Sequence, residues 1–539
     1  MKTSTLLFIV ICFAILTRSL YLLVFPLQLT DYSLINTAAE NFVSGDGLGF
    51  MRSTQKDLST VYFEGLRLWP PLVPLSLSFF IKMTGSAFLA NTILLLLILI
   101  LFHYYLYNLL NRLSINKAGK IIVFLIVALN IDLIKQPGLS DLAAATFSIG
   151  ATSCYISLIL KKTEYSIFKL SIVAFLFFLP AAFRYQYYPL TILFPTLLYA
   201  SGVYLKDLLL KKNALILFGF ILTFITIQEL FLFLYTSQPL TQSISMDESG
   251  FFPSNLAIIY PFFIKTFASI SYIENRFLSF LLPIHQYYSF AIVILLGAWL
   301  YFLSKNIIQR KLTSEKNIVN REKTVLLSVL TILLTPILTL LLLSVTHAKQ
   351  TDGVEGWTYV QEGRYYIGSS ILVLVLTTWF IQNNIKHVSK LFFSVGKFCL
   401  LLILSYNLLL TASFYKNLIT KEVVIKGVNP NSDRKKVEQI IDHLNINATK
   451  KVITYNDASL AFYPYKKNVV VTQKISSLNE TGFETSQTIQ LLIIADKPIN
   501  NSDSVLIHKT NAKQISSLKR CTIYLAEISP SQQTNIEHN

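Results

Sequence analysis

Acids and arginines stand where long apolar runs stop, and these are the residues best placed to do chemistry. Asp31 follows the run "LLFIVICFAILTRSLYLLVFPLQL" and opens "DYSLINTAAENFVSGDGLGF". Glu64 and Arg67 lie in "EGLRLWPPLVPL", Asp141 in "QPGLSDLAAA" and Arg184 in "LPAAFRYQYYPL". Glu362, Arg364 and Tyr365 close the loop "THAKQTDGVEGWTYVQEGRYYIG". A carboxylate can take the proton of an attacking hydroxyl. A guanidinium can hold a phosphate through forked hydrogen bonds and stabilise its charge as it leaves. Acids and arginines gathered at span ends therefore suit the transfer of a group from a lipid phosphate to a hydroxyl.

Each residue also has a plainer role. The stripes Leu34, Ala38, Phe42 and Ile35, Ala39, Val43 imply a short helix, which Asp31 is placed to cap and Gly45 to stop. Asp141, or Ser140 beside it, can cap the helix that follows. Arg184 can snorkel to the interface, and Tyr365 and Tyr366 can anchor there. Arg18 differs, because it lies inside the first apolar run, where an arginine faces a bundle interior or a polar cavity.

The elements that must position these groups are membrane spans. Of 539 residues, 53% are hydrophobic and 14% charged, whereas soluble chains carry about 25% charged residues. A helical span needs about 20 apolar residues. Such runs fall near 4–26, 88–110, 119–136, 140–160, 167–183, 185–205, 213–235, 286–304, 324–346, 364–382 and 391–413, about eleven in all. The total becomes twelve or thirteen if the Pro-rich 69–83 or the aromatic 258–284 also crosses. The first reads better as a juxtamembrane helix and the second, with Lys265, Glu274 and Arg276, as an interfacial segment.

The net charge of +17 reports orientation rather than a nucleic-acid partner. Lys and Arg fill the links 112–120, 161–169, 206–212, 305–323 and 386–390, while the links between them hold the acids. By the positive-inside rule the N-terminus is cytoplasmic, the chain is a multi-pass protein of the plasma (inner) membrane, and the candidate groups meet on its outer face. An odd number of spans places the tail outside as well. The four cysteines are isolated and suggest neither a metal set nor a disulfide framework.

From about Tyr415 the composition changes. In "DRKKVEQIIDHL", Val437, Ile440, Ile441 and Leu444 share one helical face. The runs "KVITYN", "KNVVVTQ", "TIQLLIIAD", "SVLIHK" and "CTIYLAEI" read as strands. The expected fold is thus an α-helical polytopic membrane protein with a small C-terminal extracytoplasmic α/β domain. The transmembrane domain covers 1–413, with a first outer loop and its juxtamembrane helices at 27–87. The α/β domain covers 414–528, and 529–539 is a disordered tail.

The order of these motifs resembles the GT-C superfamily of membrane glycosyltransferases: an aspartate after the first span, "AENFVSGDGLGF", "RLWPPLVPL", "SDLAAA", "AAFRYQYYPL" and "EGRYYIG". It is most similar to bacterial relatives of protein O-mannosyltransferases and of the lipid A aminoarabinose transferase. The resemblance spans roughly 1–413. It implies a polyprenyl-phosphate-linked sugar donor, an inverting transfer on the outer face, and a lipid, glycan or protein hydroxyl as acceptor. It implies Asp31 as catalytic base, Asp141 as the second outer-loop acid, and Arg184 and Arg364 as phosphate-side cations. Arg67 joins those cations, with Glu64, Glu362 and Tyr365 as acceptor or supporting residues. Many relatives carry Asp-Glu after the first span, whereas Tyr32 follows Asp31 here. Some bind a divalent cation, but no His cluster in this chain demands one.

Two other functions remain open on the residues alone. One is an oligosaccharide polymerase or ligase using diphosphate-linked donors. The other is a transporter or flippase for lipid-linked sugars, although transporters gather ionisable groups near the bilayer midplane rather than at span ends.

Overall fold

The computed structural model describes residues 3–24, 30–54, 56–66, 69–130, 139–160, 165–236, 265–269, 367–384, 390–420, 430–444, 449–456, 461, 469–519 and 521–530. The chain groups into two compact units. The first holds Met1–Val24, Leu95–Phe231 and Leu240–Lys416; the second holds Phe25–Leu94, Leu232–Pro239 and Asn417–Asn539.

Apolar helices make the first unit: α1 (Thr3–Val24), α4 (Ala87–Arg112, begun in the second unit), α5 (Lys117–Leu129), α6 (Leu139–Leu160), α7 (Ile167–Phe183), α8 (Tyr188–Tyr204), α9 (Leu208–Thr236), α10 (Ile367–Asn384) and α11 (Lys390–Thr420), with the last residues of α9 and α11 counted in the second unit. Among the described residues five stretches are long and apolar enough to cross a membrane: Thr3–Leu20, Leu89–Arg112, Leu139–Leu160, Leu208–Leu234 and Ser394–Lys416. Ile167–Phe183 and Ile367–Gln382 are apolar but shorter. The runs expected as spans at 286–304 and 324–346 lie outside the described residues.

Small residues let these helices pack closely. Ala14 of α1 meets Ala128 and Leu129 of α5, and the Thr17 hydroxyl donates to the Ala128 carbonyl at 3.3 Å. Helix α6, "LSDLAAATFSIGATSCYISLIL", is buried on nearly every side because Ala, Ser, Thr and Gly line it. Part of the segment expected at the interface is also enclosed: Lys265, Thr266 and Ser269 are buried. Asn130 Nδ2 donates to the Lys265 carbonyl at 2.6 Å, and Asn407 Nδ2 donates to that of Phe267 at 2.9 Å. Two asparagines thus meet backbone carbonyls of this enclosed segment that would otherwise be left bare.

The second unit is built on α2 (Thr30–Ser44), β1 (Gly49–Ser53), β2 (Val61–Gly65), α3 (Leu72–Thr84), α12 (Pro430–Leu444), β3 (Lys450–Tyr455), β4 (Val469–Lys474), α13 (Ile475–Thr481), β5 (Ile489–Asp496), α14 (Asn501–Lys509), β6 (Lys513–Ser517) and β7 (Cys521–Ile528). Its seven strands form one sheet in the order β2-β1-β4-β3-β5-β7-β6. Strand β1 runs antiparallel to β2 and meets β4 in parallel at Arg52 and Val471. Strands from the segment between α2 and α3 therefore extend the sheet of the tail, and Leu58 is buried in the same core as Val452, Leu491 and Ile493.

An aspartate clasps the two segments together. Asp57 accepts from the backbone N–H of Ser59 and Ser486 at 2.9 and 3.1 Å. It also accepts from the hydroxyls of Ser59, Thr60 and Ser486 at 2.6, 2.8 and 2.7 Å. Burial alone would raise its carboxyl pKa, but these bonds outweigh burial and hold it well below the usual carboxylate range.

Some elements differ from the sequence reading. "SVLIHK" is not a strand but the body of α14. The Asn500 side chain caps that helix by accepting from Asp503 N at 2.8 Å, and only Asp503 and Leu506 are buried, so one face of a helix is all the core takes. The edge strand β6 was not expected, because its "KQISS" is almost fully exposed and lacks an apolar alternation. Helix α2 begins at Thr30, so Asp31 lies within its first turn rather than before it, and Gly45 at φ 89° ends it as expected. Segment 69–83 forms α3, 13 residues long and too short to cross a membrane as helix.

Candidate active site

Within the first unit, α6 and α7 bring two of the expected residues together. Asp141 sits in the first turn of α6, and Arg184 caps the C-terminus of α7. Arg184 Nε lies 3.0 Å from Asp141 Oδ1, with side-chain exposures of 15% and 3%. The helix ends favour both charges, since an N-terminus stabilises an anion and a C-terminus a cation. Arg184 is extended at φ −154°, and a short 3-10 turn, Tyr185–Tyr187, leads directly into α8, where Pro189 stands in the first turn. That leaves the arginine little room to move away. Phe183 stacks on Phe147 at 5.4 Å, and the Thr191 hydroxyl donates to the Phe177 carbonyl at 3.1 Å, fixing the corner between α7 and α8.

Helix α10 enters at the same place. A Cβ built on Gly368 would stand 3.3 Å from Ala145 Cα and 3.4 Å from the Tyr187 hydroxyl. Ala145 lies one turn along α6 from Asp141. The motif "EGRYYIG" thus ends in a glycine that lets α10 start against Ala145 of α6 and Tyr187. Arg364, Glu362 and Tyr365, just before α10, lie outside the described residues, as does Arg67.

The other expected residues belong to the second unit. Helix α2 carries Asp31 and is held by polar contacts along its length. Asn91 Nδ2 donates to Asn36 Oδ1 at 2.8 Å, the Ser78 hydroxyl to the Ala39 carbonyl at 3.0 Å, and Asn41 Nδ2 to the Gly49 carbonyl at 2.7 Å. Glu64 on β2 forms an ion pair with Arg52 on β1 at 2.7 Å, diagonally across the hairpin. Arg18 behaves as an intramembrane arginine should: it is buried, with its guanidinium carbon 5.0 Å from the centroid of the Phe102 ring.

A polar cluster beside Arg184 was not anticipated. Tyr188 donates to Glu229 Oε1 at 2.9 Å, Gln228 Nε2 donates to the Tyr188 hydroxyl at 2.5 Å, and the rings of Tyr185 and Tyr188 stack in parallel 6.0 Å apart. The signal for it was present in the sequence, because Glu229 is an acid inside the apolar run Leu208–Leu234. Among the described residues no three His, Cys, Asp or Glu side chains gather as a metal site.

One solved structure aligns with the chain over almost its whole length. The crystal structure of ArnT from Cupriavidus metallidurans bound to undecaprenyl phosphate aligns over 97% of this chain and 98% of its own, with a TM-score of 0.52 at 10% identity. The chain resembles ArnT in fold. The apo structure of the same ArnT aligns over 92% of each chain at 11% identity with a TM-score of 0.42, so the fold comparison rests on the lipid-bound form. No family model matches the sequence, and no curated protein matches it. At this identity the likeness is one of fold, and chemistry has to be argued from the residues themselves.

Proposed function

We propose that the protein is a multi-pass membrane glycosyltransferase that moves a sugar from a polyprenyl-phosphate carrier to a hydroxyl acceptor on the outer face of the membrane. The buried Asp141–Arg184 pair carries this reading. It is a cation held in a fixed place at a span end, within a fold resembling a protein solved with undecaprenyl phosphate bound. Asp141 aims and partly neutralises Arg184, which meets the donor phosphate together with Arg364. Arg67 completes the cationic set, with Glu64, Glu362 and Tyr365 around the acceptor.

Asp31 acts as the base. Its carboxylate takes the acceptor's hydroxyl proton as the acceptor oxygen bonds to the anomeric carbon from the face opposite the phosphate. The bond from that carbon to the phosphate oxygen breaks, its electron pair leaves with polyprenyl phosphate, and the anomeric configuration inverts. Low local dielectric strengthens the interaction of Arg184 with the leaving phosphate. The positive-inside pattern places the N-terminus in the cytoplasm and the sheet-bearing unit outside.

The test is mass spectrometry of polyprenyl-phosphate lipids from cells lacking the gene, complemented with wild-type or Asp31→Asn protein. One polyprenyl-monophosphate sugar should accumulate on deletion and be cleared by the wild type alone. Clearance by a folded Asp31→Asn protein removes Asp31 as the base, and an unchanged lipid pool removes the donor.

A further inference from the structure

Helix α1 packs on α5, but between α1 and α4 lies a groove of about 460 Å³. Its walls are apolar: Leu7, Ile11 and Ile15 on α1, and Ile100 on α4. At one end stand Lys117 and Lys120, with Tyr107 and Ser4. His103 forms part of the lining and is only 2% exposed. Its Nδ1 lies 2.8 Å from the Leu99 carbonyl, a bond that makes Nδ1–H the donor and leaves Nε2 as an acceptor. That Nε2 is buried and has no hydrogen-bond partner among the described residues.

The dimensions suit a lipid. From Ser4 to Ile15, α1 covers about 16 Å, close to half of a bilayer core about 30 Å thick. The groove is therefore about one leaflet deep, cationic at one end and aliphatic beyond. Its lysine end is also distant from the Asp141–Arg184 pair. Helix α10 begins with Gly368 against Ala145, and farther along it Gln382 Oε1 accepts from Asn116 N, next to Lys117, at 2.7 Å. Between those contacts α10 rises about 21 Å. The lysines thus mark the opposite face of the membrane, the cytoplasmic one by the charge pattern.

We propose that this groove binds one anionic phospholipid of the cytoplasmic leaflet. The phosphate lies between Lys117 and Lys120, and one acyl chain runs along Leu7, Ile11, Ile15 and Ile100. His103, its Nε2 buried, forms part of the wall beside that chain. Phosphatidylcholine offers the same chains and phosphate, but its choline cation meets the lysines unfavourably. The site is separate from donor binding on the outer face and stands or falls without it.

The experiment is native mass spectrometry of the full chain released from nanodiscs of equal phosphatidylglycerol and phosphatidylcholine. One phosphatidylglycerol should be retained in preference. The preference should fall about fivefold for each of Lys117→Gln and Lys120→Gln, since a basic residue near an anionic surface contributes about 1 kcal/mol. Ile11→Trp fills the groove without changing charge and should abolish retention, with Ile100→Trp on the facing wall serving the same purpose if the first variant fails to fold. Lys211→Gln/Lys212→Gln, in another basic link, should change nothing, and added inorganic phosphate should not compete. Equal retention of the two lipids, an unchanged preference in the Lys117 and Lys120 variants, or retention by both folded tryptophan variants overturns the proposal. So does a fall in the Lys211/Lys212 control equal to that at Lys117/Lys120, competition by phosphate alone, or displacement by undecaprenyl phosphate at equal concentration.

Discussion

Replacing Asp141 by asparagine keeps the shape of the side chain and removes its charge, leaving Arg184 without its anion. Both groups are largely out of solvent, at 3% and 15% side-chain exposure, and 3.0 Å separates the paired atoms. Breaking a buried pair from one side costs about 3–5 kcal/mol, because the remaining charge stays desolvated. The lower end applies here, since Arg184 retains some exposure at a helix C-terminus that favours a cation. Asp141→Asn should therefore lose about 3 kcal/mol of stability. Arg184→Gln should lose a similar amount. The double variant should lose much less than the sum, as both buried charges are then gone. Unfolding of the four proteins in mixed detergent, followed by tryptophan fluorescence, measures the coupling. On the proposed function, sugar transfer should remain absent in the double variant even though its stability returns, because the cation proposed to meet the phosphate is missing. A single Asp141→Asn loss below about 1 kcal/mol, or strictly additive losses, would refute the idea that the pair holds Arg184 in place.

Other expectations follow from the same geometry. Gly368→Ala places a methyl group 3.3 Å from Ala145 Cα, so it should cost about 1–3 kcal/mol by overpacking and lower transfer by moving the start of α10; thermal unfolding and a transfer assay read the two effects. The Asp57 carboxyl is held below its ordinary pKa, so its contribution is complete above about pH 4 and is lost as pH falls further toward the folded value. Thermal unfolding of the full chain between pH 6 and pH 3 should show this loss, and Asp57→Asn should flatten it.

Local pattern carried much of the architecture. Apolar runs marked α1, α4 and α6, and glycine at position 45 marked the end of α2, because span length and backbone conformation are set within a few residues. Asp141 and Arg184 could be placed at span ends from sequence, but their contact depends on how α6 and α7 pack. Strands β1 and β2 were hidden for another reason. "GFMRS" and "VYFEG" are short and mixed in polarity, and what makes them strands is β4, some four hundred positions away. Segment 504–509 misled because a buried leucine among apolar neighbours suits either a strand or one face of a helix, and the cap at Asn500 decided it. The ion pair of Glu64 with Arg52 was not legible, because only the folded register of the β1–β2 hairpin brings the two together.

The shared sheet has a consequence for how the protein is made. The clasp that joins Ser59 to Ser486 spans 427 positions, and at about 5–20 residues per second the ribosome needs roughly 20–90 s to synthesise that interval. Throughout it, the β1–β2 hairpin is already made with an open edge, and Leu58 has no core to enter. Folding of the shared sheet is thus ordered by translation, and the hairpin waits for β3, β4 and β5. A chain interrupted before β4 would leave the β1–β2 hairpin with an unfinished, aggregation-prone edge.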